Sequence, residues 1–110
     1  MQQGEIWEMY FDPTKGSEQG DRRHALVLSG NVLNTYSPVV IVCPLTKKVK
    51  GYKGNVLLQP TAENGLAAAS EILTFHVRSV DKQRLKRRVG HIAPEELRLV
   101  IAGLNDILKY

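Results

Sequence analysis

Apolar and aromatic positions recur at strand spacing through residues 6–11, where Ile6, Trp7, Met9, Tyr10 and Phe11 surround Glu8. Short apolar runs at 25–28 and 39–42 predict a second and a third strand, the latter entered from Ser37-Pro38. A fourth is expected over 54–59, closed by Pro60 and the turn-rich 61–65. A fifth runs over 71–74 and continues past Phe75 towards Val80. A basic turn or short helix follows at 81–85, and 89–92 makes a brief last strand. The period then changes. Pro94 suits the first position of a helix, and Glu95 and Glu96 sit where the helix dipole favours negative charge. Leu97, Val100, Ile101, Leu104, Ile107 and Leu108 recur at helical spacing as one apolar stripe. Gly103 lies within that helix at a cost of about 1 kcal/mol relative to Ala, which marks a site of close packing. Several short strands followed by a terminal amphipathic helix predict a mainly β fold, a small, strongly curved antiparallel barrel with the helix packed on it.

At 110 residues the chain reads as one domain, 1–110, with no linker, repeat or low-complexity segment. Its 43% hydrophobic and 24% charged residues are those of a soluble globular protein, and no apolar run nears the roughly 20 residues of a membrane span. The first residues lack the basic and apolar regions of a secretory signal. A single cysteine, Cys43, excludes an intrachain disulfide and fits a reducing cytoplasm; inside the run 39–43 it reads as a small buried hydrophobe.

Charge changes the picture more than composition does. The net charge is +4, yet ten of the fifteen basic residues fall in two clusters, Lys47, Lys48, Lys50 and Lys53, then Arg78, Lys82, Arg84, Lys86, Arg87 and Arg88. The first 21 residues hold five acids against Lys15. Such segregation suits nucleic acid or an acidic protein partner, and equally a set of solvated loops.

Between the first two strands lies Phe11-Asp-Pro-Thr-Lys-Gly-Ser-Glu-Gln-Gly-Asp-Arg-Arg-His24, a polar loop broken by Pro13 and Gly16. A loop tied to a rigid strand is a usual seat of binding or chemistry. The three histidines, His24, His76 and His91, lack the short spacings of a zinc site, no glycine-rich phosphate loop precedes a helix, and no Ser-His-Asp set follows from spacing. Any reaction is therefore expected to use polar side chains, with no metal or cofactor. RNA permits this, because its 2′-hydroxyl attacks the adjacent phosphate once a base takes the proton.

The loop, with Asp12-Pro-Thr14, Ser17-Glu-Gln19 and the Arg23 that opens the next strand, resembles the MazF/PemK family of toxin endoribonucleases. The resemblance covers nearly the whole chain. It implies an SH3-like barrel of the PemK and CcdB type, usually a homodimer, that cuts single-stranded RNA and is silenced by an antitoxin with an acidic, disordered tail. Arg23 aligns with the family's essential arginine, and its planar charged fork matches phosphate oxygens. Arg22 occupies a variable position and is supporting charge. Thr46, ending Cys43-Pro-Leu-Thr46, matches a functional threonine of the family and offers a hydroxyl to phosphate. Glu18 either orients Arg23 as a bidentate partner or accepts a proton; beside an arginine its pKa falls, which favours orientation. Ser17, Gln19, His24, Lys47 and Arg78 complete the expected RNA contacts.

Two departures stand out. His24 replaces the usual Pro after the arginine, and Phe75 and His76 stand at the positions where many members carry an acid and Gln. His76 is a replacement base or a structural histidine, and Phe75 a stacking platform for a base or a core residue. A metal-independent endoribonuclease, a gyrase inhibitor of CcdB type and a plain RNA- or protein-binding barrel are the three readings; Arg23 with Thr46 favours the first.

Overall fold

The computed structural model describes residues 1–10 and 22–109, so Phe11–Asp21, with Ser17, Glu18 and Gln19, lies outside the described residues. Among the described residues seven strands form one antiparallel sheet: β1 (Glu5–Tyr10), β2 (Arg22–Val27), β3 (Val39–Thr46), β4 (Val56–Leu58), β5 (Ser70–Ile72), β6 (Arg78–Asp81) and β7 (Leu85–His91). Their order is β4-β5-β3-β2-β1-β7, with β6 also paired to β3. The helices are α1 (Asn31–Tyr36) and α2 (Pro94–Ile107). The mainly β fold with a C-terminal helix is as expected, the sheet curling into a half-barrel.

β3 is the spine. Its first half pairs with β6, Val40 facing Val80, and its end pairs with β5, Leu45 facing Ile72 and Thr46 facing Glu71. Pro44 stands between the two halves; it has no N–H to donate, while its carbonyl accepts the N–H of Leu73 at 2.9 Å.

Side chains alternate between two faces, and both are covered. Ile6, Leu26, Cys43, Leu45, Leu58, Ile72 and Val100 share one buried cluster; Met9, Ala25, Val27, Val40, Val42 and Val80 share the other. α2 lies over the first cluster through Val100, with Leu97 and Leu104 partly buried. A Cβ on Gly103 would come within 2.5 Å of the Gly54 carbonyl oxygen, so the helix approaches the loop before β4 as closely as the glycine implied. The start of α2 is closed by Glu96, whose carboxylate accepts the Ala93 N–H at 2.8 Å.

The structure corrects several expectations. The fifth strand does not run on past Phe75: it stops at Ile72, and a 3-10 turn (Thr74–His76) precedes the separate β6. β7 starts before the apolar run that announced it, because pairing with a neighbour extends a strand beyond its own pattern, whereas β3 ends at Thr46 as expected. α1 was not anticipated. Its one buried side chain is Asn34, whose amide donates to the Ser29 carbonyl at 2.8 Å, so it carries no apolar stripe to read. On α2 only part of the stripe is packed, since Ile101, Ile107 and Leu108 are exposed.

Candidate active site

The start of β2 and the end of β3 lie side by side. Ala25 pairs with Pro44, and continuing that register two residues brings Arg23 opposite Thr46 on the same face. A cleft of about 520 Å³ opens there, lined by Arg22, Arg23, His24, Thr46, Lys47 and Lys48, with Glu8, Leu45 and Ser70 behind them. Arg23 is exposed near the start of β2, followed by the half-buried His24 and the fully buried Ala25, Leu26 and Val27, so its root is fixed at the mouth of the cleft. The Thr46 hydroxyl accepts the Lys48 N–H at 3.1 Å, which turns the two lysines out of β3 and leaves its proton to donate.

The floor is charged on one side. Glu8 pairs in register with His24 and with Arg87. Its carboxylate lies 3.5 Å from Arg22 Nε and 3.3 Å from Arg87 Nη2. Arg22 also sits over the Tyr10 ring, 5.6 Å from its centre. His24 is half-buried, and desolvation lowers its pKa below 6.5; Glu8 opposes the shift, while Lys47 and Arg87 add to it.

Behind Thr46 stands its β5 neighbour Glu71, only 2% exposed. Its carboxylate accepts the backbone N–H of Lys50 at 2.7 Å, Gly51 at 3.3 Å and Tyr52 at 3.2 Å, and the Asn55 amide at 2.8 Å. Those bonds, the Lys50 N–H foremost, hold the carboxyl below its ordinary range despite burial. One buried carboxylate thus shapes the basic loop that follows Thr46.

Four of the expected site residues, Arg23, His24, Thr46 and Lys47, meet at the cleft. Phe75 and His76 do not: they lie on the 3-10 turn, where Phe75 meets Tyr52 edge-on at 6.0 Å and His76 at 4.7 Å. Phe75 is 46% exposed, so it is no core residue. Arg78 opens β6 opposite Val42 and does not line the cleft. Beside Thr46 the chain instead carries Ser70 and Glu71, which sequence reasoning passed over, as it did Glu8. A signal for Glu71 existed: an acid heading a short apolar run is rarely left without a buried partner. Among the described residues no three His, Cys, Asp or Glu side chains converge to hold a metal ion, and no helix is long and apolar enough to cross a membrane.

Comparison with known proteins gives one answer. The family described as PemK-like, MazF-like toxin of type II toxin-antitoxin system matches residues 2–108. The endoribonuclease toxin MazF of Escherichia coli is 37% identical over 103 residues, 94% of this chain and 88% of that protein. Endoribonuclease EndoA of Bacillus subtilis is 31% identical over 106 residues, 96% of this chain and 91% of that protein. Among solved structures, MazF of Deinococcus radiodurans has a TM-score of 0.80 at 32% identity, covering 98% of this chain and 96% of its own. A MazE-MazF structure from the same organism has a TM-score of 0.77 at 28% identity, covering 98% and 94%. This chain belongs to the PemK-like, MazF-like family of toxins of type II toxin-antitoxin systems.

Proposed function

We propose that the chain is an endoribonuclease that cuts single-stranded RNA at a short sequence and so arrests translation. One observation carries the site assignment: Arg23 and Thr46, from two different strands, face one cleft. A phosphate seated there would meet a permanent charge from Arg23 and a neutral donor from Thr46, both aimed at oxygens on which charge grows during attack. The RNA brings its own nucleophile. Its 2′-hydroxyl loses a proton and the oxygen forms a bond to phosphorus. The bond from phosphorus to the 5′-oxygen breaks, that oxygen takes a proton from solvent, and the products are a 2′,3′-cyclic phosphate and a 5′-hydroxyl. Glu18 orients Arg23 or takes the 2′-proton. The polar groups suffice for this route without a metal or cofactor.

The single domain 1–110, a homodimer, a cytoplasmic setting and a cognate antitoxin belong to the same reading. The relatives' MazE-MazF complexes support the partner, and the basic residues around the cleft suit an acidic tail lying across it. The gyrase-inhibitor and plain-binding alternatives are not favoured, since the similar proteins are named endoribonucleases.

The test is incubation of the purified protein with labelled RNA in EDTA, with Arg23→Ala beside it. Cleavage leaving a 5′-hydroxyl, absent from the variant and from DNA substrates, is expected. A strict magnesium requirement or 5′-phosphate products would sink the reading.

A further inference from the structure

The sheet places Arg87, Glu8 and His24 in one row across β7, β1 and β2, since Glu8 is the register partner of both others. Strand alternation adds Arg22 to the face that carries His24. Arg23 and Thr46 belong to the opposite face by the same alternation, and the two faces meet only at the strand ends, where the cleft opens. Glu8, Arg22 and His24 thus form a second wall of the cleft, and Arg87, outside its lining, continues the row beyond the edge.

Its charges do not cancel. Among the described residues Glu8 is the one carboxylate serving both guanidinium groups, and its side chain is 16% exposed against 48% for Arg22 and 64% for Arg87. The acid is tucked beneath and the arginines stand outward. Arg22 uses Nε towards Glu8 and Nη2 towards the Tyr10 hydroxyl at 3.4 Å, and Arg87 uses Nη2. Each fork retains N–H groups beyond those bonds. Exposed ion pairs at 3.3 to 3.5 Å are weak. They orient the two forks yet yield to a stronger acceptor, and a phosphate that takes two N–H bonds from one guanidinium is such an acceptor. Lys47 adds charge from the rim.

We propose that Arg22 and Arg87, held by Glu8, form a second phosphate subsite that takes a backbone phosphate of the RNA next to the one being cut. The proposal rests on the endoribonuclease reading. RNA whose scissile phosphate sits between Arg23 and Thr46 necessarily carries another phosphate one nucleotide away, and this wall is the neighbouring surface with arginine forks turned outward. The subsite supplies binding at a non-reacting position, so it acts on KM.

The experiment uses the full-length protein and two oligonucleotides, one trimmed to the shortest length still cut and one extended by three nucleotides on each side. Wild type should cut the extended substrate at a lower KM. Arg87→Ala and Arg22→Ala should each raise the extended substrate's KM by about 5- to 10-fold, and the salt slope of its binding should fall by about 1 for each arginine removed. Arg87→Lys should restore most of the salt slope and only part of the KM, because a point charge replaces a fork. Lys109→Ala, two residues beyond the end of α2, controls for simple loss of a cation. If wild type cuts no RNA, the endoribonuclease reading fails and the subsite with it. If wild type cuts RNA and both alanine variants keep the full advantage of the extended substrate, the subsite alone is overturned. Weakening only the binding of an acidic peptide, with RNA constants unchanged, overturns it equally.

Discussion

The buried carboxylate of Glu71 accepts the side-chain amide of Asn55 at 2.8 Å, while the Asn55 carbonyl accepts the Thr74 N–H at 3.0 Å. The pair ties the basic loop after Thr46 to the strand and turn behind the cleft. Burial without these bonds would raise the carboxyl's pKa; with them it lies below its ordinary 4.5. A group depressed by folding stabilises the protein above its unfolded pKa and loses that contribution as pH falls through the folded value. Thermal stability should therefore drop on acidification below about pH 4.5, partly through Glu71. Glu71→Gln should cost about 1–3 kcal/mol at neutral pH, because donors lose a charged acceptor, and should flatten the acid limb. Calorimetry across pH reads both, and an unaltered profile would contradict the role.

Arg23→Ala should lower the cleavage rate on the order of 100- to 1000-fold with the fold intact, since the lost interaction is strongest with the charged transition state. Thr46→Ala should do less, because a neutral hydroxyl makes a weaker bond than a charged fork. Single-turnover kinetics beside circular dichroism separate catalysis from folding. Wild-type rates in both variants would refute the assignment.

His24 and His76 divide by place. His24, lowered below 6.5 by burial, gains charge on acidification, and the groups facing it are Glu8 opposing and Lys47 and Arg87 adding. RNA affinity should rise as pH falls below about 6.5, and His24→Gln should flatten that rise. His76→Ala, outside the cleft, should leave the pH profile of cleavage as it is. A profile abolished by His76→Ala would return the proton-transfer role to that residue.

Gly103→Ala tests the contact of α2 with the loop before β4. Helix propensity alone would favour alanine by about 1 kcal/mol. The added Cβ meets the Gly54 carbonyl oxygen at 2.5 Å, a backbone atom with little room to retreat. The clash should prevail, with a net loss of about 1–3 kcal/mol by denaturant unfolding. A stabilised variant would show that the loop yields.

Cys43 is buried against the Thr74 carbonyl, and desolvation pushes its thiol up to about 12. At pH 8 the folded protein should resist iodoacetamide and react quickly once unfolded, because only the thiolate attacks. Mass spectrometry with and without denaturant reads the difference. Rapid labelling of the native protein would contradict the burial.

The chain's periodicities determined the class of fold: alternating apolar runs for a curved sheet, then a helical stripe from Pro94. Its motif pointed to Arg23 and Thr46, because a loop-to-strand junction and a strand end are local features. What failed was whatever depends on register. Glu8 meets Arg87 across 79 positions, and Glu71 meets the Lys50 loop across about 20. A strand's own pattern says which residues share a face but not which strand lies beside it, since backbone pairing is blind to side chains and a shift of one residue exchanges the faces. The turn at Thr74–His76 was missed for the same reason: the apolar residues there read as strand, and only the departure of β6 to pair with the first half of β3 made the chain bend. So the sequence by itself determined most of the strands and the C-terminal helix and pointed to Arg23 and Thr46, while α1 and the turn at Thr74–His76 escaped it. The row of Arg87, Glu8 and His24 and the buried carboxylate beside Thr46 were decided by tertiary structure, where sheet pairing brings charges distant in sequence together.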